Sequence, residues 1–87
     1  MYKIRLQKKV LKFLEKHKWE TIIKTFTIYI KILQDNPYNN RLDIKLLKGD
    51  KKQYRLRIWK YRFIYEIIED KLIISFTDWD NRWDIYK

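Results

Sequence analysis

The chain has 87 residues, 46% of them hydrophobic and 17% aromatic, enough for one small core and too few for a multidomain enzyme, while its apolar content sets it apart from disordered chains. It contains no cysteine, which excludes disulfides and thiolate metal sites, and Met1–Arg5 does not begin a long apolar run, so no membrane role and a cytosolic location are expected. Lys and Arg number 21 against 11 Asp and Glu, a net charge of +10 that attracts polyanions, and the excess is uneven: Met1–Phe63 holds 18 basic and 5 acidic residues, Ile64–Lys87 only 3 and 6.

Tyr2, Ile4 and Leu6 alternate with Lys3 and Arg5, the period of a half-buried strand. From Lys8 to about His17, Val10, Leu11, Phe13 and Leu14 share one side of a short amphipathic helix, with lysines on the other. A second helix is predicted from about Trp19 to Gln34, on a stripe of Trp19, Ile22, Ile23, Phe26, Ile30 and Leu33, with Asn36-Pro37 as its stop. Its Ile and Thr residues are poor helix formers, so packing must override propensity, and Thr27–Ile32 has the composition of a strand. The only Pro and Gly, Pro37 and Gly49, bracket a loop region that also contains Asn36, Asn39 and Asn40.

Beyond the loop the pattern predicts three strands in a common register. Tyr54, Leu56 and Ile58 alternate with Arg55 and Arg57, and Tyr61, Phe63, Tyr65 and Ile67 form the next inward set. A turn at Trp59-Lys60 sets Leu56 opposite Phe63 and Arg57 opposite Arg62, so the apolar sets bury together and Arg55, Arg57 and Arg62 emerge on the other face. A second turn at Glu69-Asp70 sets Leu72, Ile74 and Phe76 opposite Ile67, Tyr65 and Phe63, and Thr77 opposite Arg62. Residues Asp78–Lys87 then lie beside the arginines.

An arginine fork binds phosphate bidentately and keeps its charge at any relevant pH. Like charges opposed across strands destabilise a sheet, and a polyanionic ligand would relieve that cost. Surface ion pairing with Glu66 and the acidic tail is the competing reading. Trp59, Trp79 and Trp83 also fall near this face, as base-stacking surfaces or as core and interface residues.

The stretch Leu46-Leu47-Lys48-Gly49, then Tyr54-Arg55-Leu56-Arg57-Ile58, then Tyr61–Ile67, and the ending Asn81-Arg82-Trp83-Asp84-Ile85-Tyr86 resembles the RelE/ParE family of bacterial type II toxins. The resemblance covers nearly the whole chain and implies a single α+β domain over residues 1–87. In it, two N-terminal helices pack on one face of a mostly antiparallel twisted sheet of about four strands. For the RelE branch it implies a metal-independent, cofactor-free ribonuclease that cuts mRNA on the ribosome, and a cognate acidic antitoxin in a hetero-oligomeric complex. By position, Arg62, Arg82 and Tyr86 take the catalytic places, the arginines clamping the scissile phosphate and Tyr86 stacking on a base or exchanging a proton. Arg55, Arg57, Lys48 and Trp83 take RNA- and phosphate-binding places.

The family's usual Gly-His-Arg reads Asp80-Asn81-Arg82 here, and asparagine cannot exchange protons. Asp80 is therefore the candidate general base, with ion pairing to Arg62 or Arg82 as its alternative role. The lone His17 reads as a helix-surface residue, and Asp78, Asp80 and Asp84 lack the spacing and glycine of a cation loop. Two other readings stay open: a ParE-like toxin that inhibits DNA gyrase without RNA chemistry, and an inactive relative that only binds RNA or antitoxin.

Overall fold

The computed structural model describes residues 1–39 and 41–81. Those residues form β1 (Lys3–Leu6), α1 (Lys8–Lys16), α2 (Thr21–Asp35), β2 (Ile44–Lys48), β3 (Gln53–Ile58), β4 (Tyr61–Ile68) and β5 (Ile73–Asn81), with a short 3-10 turn at Glu69–Lys71. The strands make one sheet in the order β1-β5-β4-β3-β2. β1 runs parallel to β5, and the other neighbours are antiparallel. Two helices on one face of a mixed sheet confirm the α+β expectation, and the fifth strand is β2, in a stretch that sequence reasoning left within the loop region.

α1 buries Val10 and Phe13 but leaves Leu11 exposed. α2 buries Ile22, Phe26 and Leu33, so packing does override its Ile and Thr content. Thr25 and Thr27 turn their hydroxyls back onto the carbonyls of Thr21 and Ile23, which satisfies them inside the helix. The helix stops where the proline requires: Asn36 is extended (φ −151°, ψ 101°), the conformation favoured before Pro37, and its Oδ1 accepts the Tyr38 amide at 3.0 Å. Trp19, expected in the α2 stripe, instead precedes the helix and is 91% exposed.

The core lies between these helices and the inward residues of β3, β4 and β5, including Leu56, Phe63, Tyr65, Ile74 and Phe76. Phe63 is its centre, with ring centroids 5.3 Å from Phe13 and 4.7 Å from Phe26, so one strand residue ties both helices to the sheet. At the end of the sheet where β4 turns into β5, Glu69 accepts hydrogen bonds from the hydroxyls of Tyr2 (2.9 Å) and Tyr38. These bonds, the Tyr38 one first, hold the Glu69 carboxyl below its usual range. Tyr65 donates to the Pro37 carbonyl at 3.0 Å, and burial pushes its hydroxyl pKa up. The segment before β1, the α2–β2 loop and the β4–β5 turn are thereby pinned together.

The β3–β4 register matches the sequence expectation at every pair, Leu56 opposite Phe63 and Arg57 opposite Arg62 among them. β5 departs from it. Ile74 lies opposite Ile67 and Phe76 opposite Tyr65, a shift of two residues, because the turn extends through Leu72, which is left-handed (φ 52°). The ladder then slips: Phe76 pairs with Tyr65 but Asp78 with Ile64, leaving Thr77 as an extra residue. Asp80, not Thr77, therefore stands opposite Arg62.

Candidate nucleic-acid interface

Residues that alternate with the core set point away from the helices. Leu56, Ile58, Phe63 and Tyr65 are buried, so Arg55 and Arg57 of β3 and Arg62 of β4 stand on the helix-free face. β2 sets Lys45 beside Arg55, and β1 sets Arg5 opposite Ser75 on the same face. β5 contributes Asp80 opposite Arg62 and Asp78 opposite Ile64. The result is a basic row across β2, β3 and β4, bordered on β5 by acidic residues.

The arginines differ in how they are neutralised. Asp43, just before β2, sends Oδ1 to Arg55 Nη2 at 2.6 Å and Oδ2 to Arg57 Nε at 2.7 Å. The Arg57 amide also donates to the Asp43 carbonyl at 2.9 Å, which fixes the carboxylate at this place in the ladder. Arg62 has no ion pair among the described residues, and its Nε is buried without a hydrogen-bond partner. Asp78 turns to Lys9 of α1 at 2.5 Å, and this bond raises the Lys9 pKa. A guanidinium whose Nε is buried and which has no ion pair among the described residues, beside a second guanidinium on the opposed strand, is an arrangement that a phosphate would complete.

The structure thus brings Arg55, Arg57, Arg62 and Asp80 together. Lys48 falls at the far end of β2, opposite Gln53, about 13 Å from the level of Arg57 at roughly 3.3 Å per residue. Arg82, Trp83 and Tyr86 lie outside the described residues. Trp79 turns inward, 4.5 Å from the Phe13 ring, and packs half-buried against the core; Trp59 is exposed at the hairpin tip. His17 is away from the arginine face as expected, but it is packed rather than superficial, its ring 4.3 Å from Phe13 and its Nδ1 2.8 Å from Glu20. Among the described residues no three His, Asp or Glu side chains converge as metal ligands. Sequence reasoning missed Asp43, Lys45 and Arg5. The first two were legible only once Ile44 and Leu46 were read as strand residues, and Arg5 only once β1 was placed beside β5.

No protein-family model matches the chain. It is 36% identical to "Putative toxin RelE1" of Methanocaldococcus jannaschii over 87 residues, covering 99% of this chain and 96% of that protein. Its fold is similar to a crystal structure of the archaeal RelE-RelB complex from Pyrococcus horikoshii OT3, with TM-score 0.83, 25% identity, and 93% of this chain and 94% of that one covered. The RelB-RelE antitoxin-toxin complex from Methanococcus jannaschii matches with TM-score 0.72 and 32% identity over 94% of each chain. The isolated E. coli RelE toxin shares the fold, with TM-score 0.76 at 17% identity over 93% of this chain and 84% of that one. Identity at this level along nearly the full length, on the same architecture, places the chain in a family: it belongs to the RelE toxins of type II toxin–antitoxin systems.

Proposed function

We propose that the chain is a ribosome-dependent mRNA endonuclease whose substrate supplies its own nucleophile. The observation that carries this reading is Arg62, its Nε buried and without a hydrogen-bond partner among the described residues, on the helix-free face directly opposite Arg57. In the reaction the ribose 2′-oxygen attacks the adjacent phosphate and loses its proton, the bond to the 5′-oxygen breaks, and that oxygen takes up a proton. The products are a cyclic phosphate and a 5′-hydroxyl. The protein has to hold the RNA in line, neutralise the developing charge and move two protons. Arg62, with Arg82, would clamp the scissile phosphate, while Arg55 and Arg57 position backbone. Asp80, opposite Arg62, would take the 2′-hydroxyl proton, and Tyr86 would stack on a base or exchange a proton.

The complexes of the P. horikoshii and M. jannaschii relatives support an antitoxin partner for this chain too, and the net charge of +10 calls for an acidic one that covers the basic face. The test is controlled induction followed by primer-extension mapping of transcripts, comparing the natural chain with Arg62→Ala. Cleavage within translated codons that disappears in the variant is the expected result. Growth arrest with intact messages would sink the proposal. One observation favours a second reading, gyrase inhibition: the chain's only histidine is packed on Phe13, leaving the arginine face without the imidazole of the family's usual Gly-His-Arg pattern. That reading requires gyrase-dependent DNA breaks and toxicity that survives Arg62→Ala.

A further inference from the structure

The helical side of the β3–β4 hairpin carries a feature that the arginine face does not use. A cleft of about 400 Å³ opens there, lined by Trp19, Glu20, Trp59, Lys60 and Tyr61, within the roughly 300–1,000 Å³ range of small-ligand sites. Trp19 is 91% exposed and Trp59 54% exposed, so two indoles stand in solvent in a domain whose other large aromatics mostly build the core. Trp59 also has φ 56°, a left-handed conformation at a two-residue hairpin turn where glycine is the ordinary choice. A strained non-glycine residue holding a large apolar side chain in water contributes little to folding and asks for a ligand.

The charge around the cleft indicates which ligand. The Lys18 ammonium lies 5.8 Å from the Trp19 ring and that of Lys60 lies 5.3 Å from the Tyr61 ring. Glu20, the acidic side chain in the lining, is already engaged by His17 at 2.8 Å. The hairpin turn joins Arg57-Ile58 directly to Tyr61-Arg62, so the cleft and the arginine pair lie on opposite sides of one strand tip. We infer that this cleft binds an unstacked nucleobase of single-stranded RNA, with Trp59 and Trp19 as stacking surfaces and Lys18 and Lys60 on the flanking phosphates. An acidic peptide would use the lysines but would leave both indole faces unexplained, whereas every base has a π face to offer. The inference rests on the RNA reading above, extending it to a base held outside the reacting phosphate.

The test uses the full chain carrying Arg62→Ala, so that RNA survives the measurement, and fluorescence anisotropy of a labelled single strand of about ten nucleotides. Trp59→Gly and Trp19→Ala are added singly: the first gives the turn its preferred residue and the second removes a side chain with almost no burial, so both fold. Each is expected to weaken binding about tenfold, the scale of one stacked base, with the salt dependence preserved and with little change for duplex RNA of the same length. Unchanged affinity in both variants overturns the inference, as does equal loss on single-stranded and duplex RNA. A poly-glutamate peptide that competes with the RNA more strongly in the parent than in the Trp variants would also overturn it, by assigning the cleft to a protein partner. Failure of message cleavage in cells would fall on the nuclease proposal alone, because the binding measurement is made without catalysis.

Discussion

Replacing Asp43 by alanine separates the two ways of reading the arginine face. Asp43 makes a charge-assisted bond to Arg55, whose side chain is 13% exposed, and another to Arg57. Its own side chain is 43% exposed, so solvent screening leaves each bond about 0.5–1 kcal/mol and the pair about 1–2 kcal/mol. At about 4–8 °C per kcal/mol for a domain of this size, Tm should fall by roughly 5–15 °C. If Arg55 and Arg57 serve RNA phosphate, the same change should strengthen binding, because a resident carboxylate no longer competes for both guanidinium groups. Each additional phosphate contact on a single strand steepens the slope of log K against log salt by about 0.7, so the expected change is about 0.7–1.4. Circular dichroism melts give the first quantity and anisotropy titrations at several salt concentrations the second. Asp50→Ala is the control: it alters net charge equally but lies in the β2–β3 turn, and it should leave the slope unchanged. A variant that melts early yet binds RNA no more steeply than Asp50→Ala would show that these arginines serve the fold and not phosphate.

Glu69 ties acid stability to the tyrosine cluster. Its pKa is depressed in the folded state by the hydrogen bonds from Tyr38 and Tyr2, so its contribution is complete above the unfolded carboxylate value near ~4.3 and is lost as pH falls through the lower folded value. Glu69→Gln should therefore lower Tm at neutral pH and flatten its fall on acidification; a parallel fall in both proteins would assign the acid limb to other carboxylates. Gly49 lacks a positive φ, and an added Cβ would meet only Leu46 Cδ2, at 3.7 Å. Gly49→Ala should thus raise stability by about 0.4–1 kcal/mol in urea melts by restricting the unfolded chain, and a loss of more than that would reveal a backbone requirement at this turn.

The parts of the fold legible in the sequence were those where one period runs unbroken. Tyr54–Ile58 and Tyr61–Ile67 alternate on either side of a two-residue turn with Ile64 as the one apolar residue at an outward position, so a single assumption sets all their pairs, Arg57 with Arg62 included. β2 could not be read this way. Its Leu46-Leu47 doublet breaks the alternation, and the structure shows a register irregularity between Leu46 and Lys48. Missing that strand meant missing Asp43, whose position opposite Arg57 follows directly from Ile44 opposite Leu56. Trp19 misled for a different reason: helical spacing puts it on the apolar stripe, but α2 begins at Thr21, and two residues before the helix its side chain stands outside the packed layer.

The slip at Thr77 decides what the arginines face. Continued without it, the alternation that buries Ile74 and Phe76 would turn Asp78 and Asp80 under the helices and Trp79 out to solvent. Burying two carboxylates without partners costs several kcal/mol for each, and exposing an indole forfeits its burial, so one extra residue between Phe76 and Asp78 is the cheaper solution. The segment Phe76-Thr77-Asp78-Trp79-Asp80 thus carries its own evidence for a bulge, since no single phase buries both aromatics while exposing both acids. The functional consequence is local. The bulge sets an exposed carboxylate, Asp80, opposite Arg62 without a hydrogen bond between them among the described residues. A pair tied together would be neutral and occupied; under the proposed reaction, the untied arrangement would leave Arg62 for phosphate and Asp80 for a proton.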